Sequence, residues 1–357
     1  MEKVNRVVLF GAGASYGARE PRPPLGKDLH CYVLKYLQMA WDELSELEDG
    51  DGARTEEVRK KLEQLLEKES SFEGMANRLL DKGEKDLLGK LNYLMACALT
   101  PPLLPREGEP KGDPKVDEAF IEKEDIYDEF LHRRFPSREK LEKTTFITLN
   151  YDCLLERAIC RFLNESQNKE DQCLCKHVNY WLTEDGSGIE VLKPHGSINW
   201  VHDTSDYGRP IENNCIPIDG FVSGEVMSWN NIKSVPSPKG CGDGGDIVLA
   251  HYAPGKKAQA NPGTLLKIRE LALERVKNAD VIEIIGMHLP TDSLDDPFLS
   301  KLLDLMKTRV MAGTCKVDHI TPDTPEAAKA RSTFNFNPIQ VTFREYVTAV
   351  QNNLNLP

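Results

Sequence analysis

Short apolar runs that end in glycine or a polar residue, most of them followed by a helical pattern, recur along this chain and leave it few possible folds. The first is RVVLFGAGAS, residues 6–15, where residues 7–10 read as a buried strand running into a glycine turn. TTFITLNYD (144–152), GIEVLKPHGS (188–197), DIVLAHYA (246–253), VIEIIGMHLP (281–290) and CKVDHITPD (315–323) repeat the theme. Between them lie helical patterns at 153–163, 265–280, 294–308, 325–331 and 343–354. Strands alternating with helices imply an α/β fold, a Rossmann-like, mainly parallel sheet with helices on both faces.

The region after the first strand breaks the alternation. Residues 28–46 place Leu29, Val33, Leu37, Trp41 and Leu44 on one helical face, and helices are also expected at 55–69, twice within 72–99, and at 124–135. TPPLLPREGEPKGDPK, 100–115, is too rich in proline and glycine for regular structure. The expected organisation is a Rossmann-like domain from 1–27 and 136–357, with a helical insertion at 28–135. Residues 201–245 show little periodicity and read as a long loop.

Composition narrows the function classes. The chain has 357 residues and a net charge of −12, which argues against a surface that grips nucleic acid, since that surface needs Lys and Arg to displace phosphate counterions. Nine cysteines without a CxxC pair do not suit a disulfide framework, and they are expected to be reduced thiols. Cys173, Cys175, Cys215 and Cys241 could supply zinc ligands, but C-x-C is not the usual knuckle spacing, so no metal is expected. No apolar run approaches the roughly 18 residues that span a bilayer, and no leader pattern is evident, so a cytoplasmic protein is expected.

In an open parallel sheet, ligands bind beyond the carboxyl ends of the strands. Four strand ends carry suggestive residues. In FGAGAS, Gly11, Ala12, Gly13 and Ser15 are small enough for backbone N–H groups to approach phosphate oxygens; a tight turn without a ligand is the other reading. The spacing is not GxGxxG, and no acidic strand end follows about 20 residues later, which disfavours a dehydrogenase. In TLNYD, Asn150 and Asp152 are candidates for polar contacts to a ribose, a water or a carboxamide, or for helix caps. In KPHGS, His195 falls at a strand end, and imidazole is the side chain best suited to proton transfer near neutral pH; a packed structural histidine is the alternative. In IIGMHLPTDS, Gly286 ends a strand and Asp292 or Ser293 is placed to cap the next helix.

The order of these four motifs, GAGAS, TLNYD, KPHGS and IIGMHLPTD, resembles the sirtuin superfamily. The match is nearer to the NAD-hydrolysing sirtuin-like proteins of bacterial antiphage defence than to the protein deacylases. It touches residues 7–296. The resemblance implies that Gly11, Ala12, Gly13 and Ser15 cradle the pyrophosphate of NAD+. It implies that Asn150 sits by the nicotinamide ribose and orients water, Asp152 lies near the carboxamide, and His195 is the general base. It implies that the turn containing Gly286, Met287 and Leu289 approaches the adenosine half.

Two departures bear on the activity. The deacylases follow the glycine loop with a G-I-P-D-F-R-type segment where this chain has YGAREPRPPLGKDL, and they carry a two-CxxC zinc ribbon absent here. The resemblance therefore implies an NAD+ glycohydrolase that releases nicotinamide and ADP-ribose without a metal. The alternatives are a deacylase or ADP-ribosyltransferase, and a module that senses NAD or ADP-ribose without turnover. It further implies a homo-oligomer or a partner such as an infection-sensing ATPase to restrain the enzyme, with the 201–245 segment and the helical insertion as candidate lids.

Overall fold

A computed structural model describes residues 5–16, 60–65, 68, 72–99, 125–165, 177–181, 188–202, 215–217, 247–249, 263–289, 296–322 and 324–351. The chain divides into two compact units. The first comprises Met1–Arg22, Glu124–His195 and Gly263–Pro357; the second comprises Pro23–Lys123 and Gly196–Pro262. The second unit thus draws on two segments, and residues 124–135, expected within the helical insertion, fall in the first unit.

The first unit is built on a seven-stranded sheet. Its strands are β1 (Arg6–Phe10), β2 (Thr144–Thr148), β3 (Val178–Asn179), β4 (Ile189–Leu192), β8 (Val281–Ile285), β9 (Lys316–Ile320) and β10 (Asn337–Ile339). They lie in the order β10-β9-β8-β1-β2-β4-β3, and every pairing is parallel. This is the Rossmann-like parallel sheet that the alternation predicts. Val7 to Phe10 and all of β2 are buried, as central parallel strands covered on both faces require.

The helices of this unit are α1 (Ala12–Tyr16), α4 (Ile126–Arg134), α5 (Arg138–Glu142), α6 (Leu154–Glu165), α7 (Gly263–Asn278), α8 (Pro297–Met311), α9 (Thr324–Phe334) and α10 (Phe343–Gln351). They form two sets: α4 packs on α6 and α10, whereas α8 packs on α7 and α9. Amphipathic spacing explains the packing of α6, whose Leu155, Ala158, Ile159 and Leu163 are all buried. Phe10 of β1 anchors the α4 and α10 side, with ring centroids 5.2 Å from Tyr127, 5.8 Å from Phe130 and 5.9 Å from Phe343.

The second unit contains α2 (Phe72–Lys82), α3 (Lys85–Leu99) and an antiparallel sheet in the order β6-β5-β7, formed by β5 (Gly196–His202), β6 (Cys215–Pro217) and β7 (Ile247–Leu249). Helix α3 packs against α2, β5 and β7.

The sequence reading differs from the structure at several places. Strand β6 lies inside the 201–245 segment expected to be a loop, and β3, β10 and α5 are additional elements. Each is five residues or fewer, too short for a period to show. Strand β10 also contains Pro338, which is tolerated because the strand lies at the sheet edge. The helix expected from 294 begins instead at Pro297, because Asp296 supplies the cap and proline occupies the first turn. The expected helix at 28–46, the loop at 100–115, and Asp292 and Ser293 lie outside the described residues. Within the expected 55–69 helix, residues 60–65 and 68 are described and helical.

Candidate functional site

Parallel register brings the carboxyl ends of four strands to one edge of the first unit. Phe10 pairs with Thr148 on one side and Ile285 on the other, and Ile147 pairs with Leu192. The residues that leave these strands therefore start at similar heights: Gly11 after β1, Asn150 after β2, His195 after β4 and Gly286 after β8. The chain moves outward from β1 to β2 on one side and later to β8 on the other, so this edge is also where strand order reverses.

The two glycine turns are locked together. Gly11 N–H donates to Ile285 O at 2.9 Å, and Gly13 N–H to Gly286 O at 2.8 Å. A Cβ on Gly11 would lie 2.7 Å from Met287 Cα, and one on Gly286 only 2.1 Å from Ala14 N. Gly286 also has φ of +63°, a left-handed conformation that side chains disfavour. Backbone approach between the turns thus accounts for these glycines before any ligand is considered. Ala12 and Gly13 are exposed at the edge, whereas Ser15 is buried.

Asn150 is tied into the first turn. Its Nδ2 donates to Gly11 O at 3.1 Å and to Ser15 Oγ at 2.8 Å. A carbonyl accepts only, so the contact with Gly11 fixes which end of the amide faces the turn. Both donors are then committed, and the oxygen Oδ1 is the end left to accept from a hydroxyl or water. Ser15 Oγ in turn meets Tyr127 OH at 3.0 Å. Burial, then the nearby Asp152 charge, holds that phenol well above its ordinary range, so it remains a neutral O–H.

Asp152 is buried, and its Oδ1 accepts from the N–H of Leu154, the first residue of α6, at 3.1 Å. That contact occupies one of its oxygens. Its backbone carbonyl accepts from Lys193 Nζ. Lys193 also bonds Glu156 Oε1 at 2.7 Å, and both side chains are fully buried. Burial opposes the ammonium charge, but Glu156, Cys153 and Asp152 outweigh it and leave Lys193 more basic than usual. Glu156 is pushed up by its own burial, only partly offset by Lys193. This pair fixes the end of β4 just before His195.

His195 itself is nearly buried. Its Nε2 lies 2.9 Å from Asp296 Oδ2, with 14% of the histidine side chain and 10% of the aspartate side chain exposed. Asp296 Oδ1 accepts from Phe298 N–H at 2.9 Å as the N-cap of α8. Burial alone would raise the Asp296 pKa, but the bond to His195, its charge, and the amides of Leu299 and Phe298 outweigh burial and hold it below the usual carboxylate range. The Tyr151 ring stands 6.3 Å from the His195 ring at 41°. Pro194 O accepts from Arg269 Nε at 2.9 Å, which pins the chain one residue earlier.

The turn after β8 is held from below. Met287 is buried and its carbonyl meets His319 Nε2 at 2.9 Å. Buried Glu326 accepts from Leu289 N–H through Oε1 and pairs with His288 Nδ1 through Oε2 at 2.7 Å. Thr321 is buried at the end of β9, its N–H bonded to Ile339 O at 3.1 Å.

The structure thus joins Gly11, Ser15 and Asn150 directly, joins Gly13 to Gly286, and sets His195 beside Tyr151. Sequence reasoning missed Tyr127, Glu156, Asp296, His319 and Glu326. Only Asp296 carried a local signal, the Asp-Pro pair that marks a helix start. The others reach the edge through tertiary packing. Among the described residues no cluster of three or more His, Cys, Asp or Glu could hold a metal, and no helix is long and apolar enough to cross a membrane. Cys173, Cys175 and Cys241, and the side chain of Cys215, lie outside what is described.

Neither a family model nor a curated protein matches the sequence. Among solved structures, the chain is similar to a Sir2 homologue in complex with NAD, at 15% identity and a TM-score of 0.46, covering 98% of this chain and 88% of that one. It is similar to a mutant Sir2 homologue in complex with ADP-ribose, at 16% identity and a TM-score of 0.44, covering 98% and 90%. It is also similar to Sir2Tm bound to a propionylated peptide, at 10% identity and a TM-score of 0.41, covering 98% and 92%.

Proposed function

We propose that this edge is an NAD+ glycohydrolase site that releases nicotinamide and ADP-ribose. The observation that carries the reading is the hydrogen-bonded tie of Asn150 to Gly11 and Ser15 at the edge that also bears His195. That arrangement bonds two of the four motifs on which the sirtuin resemblance rests, at the edge that carries a third, and leaves the Asn150 oxygen as an acceptor.

The chemistry follows from the substrate. The C1′–N bond of NAD+ breaks with its electron pair passing to the pyridinium nitrogen, so nicotinamide leaves neutral and no acid is needed. A water oxygen bonds to C1′, and the proton it loses passes to His195, directly or through a ribose hydroxyl. The work left to the protein is positioning and electrostatics. Asn150 Oδ1 accepts from the ribose hydroxyl or the attacking water. Asp152 accepts from the substrate carboxamide N–H. The Gly11–Ser15 turn receives the pyrophosphate, and the turn through Met287 and Leu289 faces the adenosine half. No metal enters this mechanism.

On the same resemblance, we place the activity in cytoplasmic antiphage defence by NAD+ depletion, restrained by a homo-oligomer or by a partner such as an infection-sensing ATPase. Incubation of the protein with NAD+, with nicotinamide and ADP-ribose followed by chromatography, tests the reading. Asn150→Ala and His195→Ala should each lower turnover by at least about 10²-fold while folding is retained. Wild-type turnover in both variants removes the assignment. Nicotinamide release that requires an acyl-lysine peptide or a protein acceptor points instead to a deacylase or an ADP-ribosyltransferase. Tight NAD+ binding without turnover points to a sensing module.

A further inference from the structure

We propose that Asp296 is the positioning residue of this site: its carboxylate accepts a hydrogen bond from His195 Nε2–H, which keeps the ring proton on Nε2 and the imidazole lone pair on Nδ1. The proposal deepens the glycohydrolase reading and, for its kinetic consequence, rests on it.

The argument begins with the donor set. A carboxylate only accepts, so the 2.9 Å contact between Asp296 Oδ2 and His195 Nε2 requires the ring proton on Nε2. Asp296 is ionised over the neutral range because the hydrogen bond and charge of His195 and two backbone amides outweigh its burial. Its geometry leaves little freedom, since Oδ1 is held by Phe298 N–H while Oδ2 faces the imidazole. Helix α8, 15 residues long, carries that cap, so the carboxylate is fixed to a rigid element rather than to a loose side chain.

The histidine is fixed from its own side as well. Two residues before it, Lys193 is anchored by Glu156 and by Asp152 O, and one residue before it, Pro194 O is held by Arg269. Ring and carboxylate are both mostly shielded, so water competes weakly for the bond between them. A base whose proton sits on the wrong nitrogen cannot accept from substrate water. A fixed tautomer is therefore worth rate, and an imidazolium formed on proton transfer is stabilised by the adjacent carboxylate. Asp296 lies outside all four motifs of the sequence reading, and it reaches the site only because α8 begins at this edge.

Asp296→Asn separates this role from a structural one. Asparagine caps helices as well as aspartate, so its oxygen keeps the Phe298 contact. Its amide then presents N–H to Nε2, which forces the lone pair onto Nε2 and the proton onto Nδ1. The protein has eight histidines, few enough for ¹⁵N-histidine labelling with tautomer-sensitive NMR, the His195 signals being assigned by their loss in His195→Gln. We expect the Nε2–H tautomer in the wild type and the Nδ1–H tautomer in Asp296→Asn. We also expect kcat for NAD+ to fall on the order of 10²- to 10⁴-fold, with KM and melting temperature near wild type. The same tautomer in both proteins overturns the proposal, as does a reversed tautomer with unchanged kcat. If the wild type releases no nicotinamide from NAD+, the glycohydrolase reading fails, and the tautomer measurement still decides the role of Asp296.

Discussion

Two pairs of a basic side chain with a carboxylate stand two residues apart at the end of β4, and they do opposite work. Lys193 and Glu156 are fully buried, and Glu156 Oε2 has no hydrogen-bond partner among the described residues. His195 and Asp296 keep 14% and 10% of their side chains exposed and sit at the open edge of the sheet. Both pairs join a basic side chain from the same strand end to an acid on a helix. The first is sealed and holds the backbone; the second is open enough to meet a substrate. Charge in itself is therefore no mark of chemistry in this molecule. What separates the pairs is access to solvent and whether the acid is satisfied on both oxygens.

The largest expected effect comes from breaking the sealed pair. Lys193→Met leaves Glu156 buried without a counter-charge and should cost about 3–5 kcal/mol of stability, measured by urea unfolding. The pH dependence has a definite sign. Burial raises the Glu156 pKa above its unfolded value, so the folded state binds the proton more tightly and stability falls as pH rises above the ordinary carboxylate range. Removing Lys193 widens that window, so the variant should lose least in mild acid and most near neutrality. Adding Glu156→Leu should restore much of the loss, because a neutral pair of similar volume avoids the desolvation penalty. A single variant as stable as wild type at neutral pH would show that the sealed pair does not hold the strand end, and the contrast with His195 and Asp296 would collapse.

The legible part of this site follows from what each signal depends on. Strand ends could be read because central strands are buried on both faces and so appear as apolar runs, uninterrupted in VVLF and broken only by Glu283 in VIEII. Gly11, Asn150, His195 and Gly286 could be found because a parallel sheet places everything after its strands at one edge. Asp296 could not be paired with His195, since 101 positions separate them and only the seating of α8 brings them together. Tyr127 and Glu156 looked like ordinary members of helical patterns. Asp152 was read as a site residue or a cap, and the structure shows one of its oxygens on the first amide of α6. Strand β6 was hidden because three residues carry no period.

A middle-sized effect sharpens the comparison from the glycine side. Gly286 neither carries charge nor offers a side chain, yet Gly286→Ala would press a Cβ to 2.1 Å from Ala14 N and hold alanine at a φ of +63°. The backbone conformation alone should cost about 1–3 kcal/mol. Relief of the clash would displace the turn that bears Gly13 and Ser15. Gly286→Ala should therefore lower both the melting temperature and NAD+ turnover, whereas Lys193→Met chiefly lowers the first and Asp296→Asn the second. Unchanged turnover with lowered stability would mean that the turn geometry serves packing alone, placing Gly286 with the sealed pair.

The smallest expected effect comes from a residue that shares features of both pairs. Tyr127 is as buried as Lys193, yet its hydroxyl bonds Ser15 Oγ, which accepts from the Asn150 amide. Tyr127→Phe removes one neutral hydrogen bond and keeps the ring that packs on Phe10 and Phe343. The stability cost should be about 0.5–1.5 kcal/mol. Ser15 keeps its bond to Asn150, and Asn150 keeps Gly11 O, so the amide should lose orientation only partially. Turnover should fall by no more than about tenfold, which corresponds to roughly 1.4 kcal/mol of transition-state positioning. Paired measurements of urea midpoint and kcat resolve the case. A fall in kcat comparable to that of Asn150→Ala would make the phenol part of the substrate-facing network, because its hydrogen bond would then be governing the amide beyond the single bond it makes. A fall in stability alone would mean that Gly11 O is sufficient to hold Asn150, and that the network ends at Ser15.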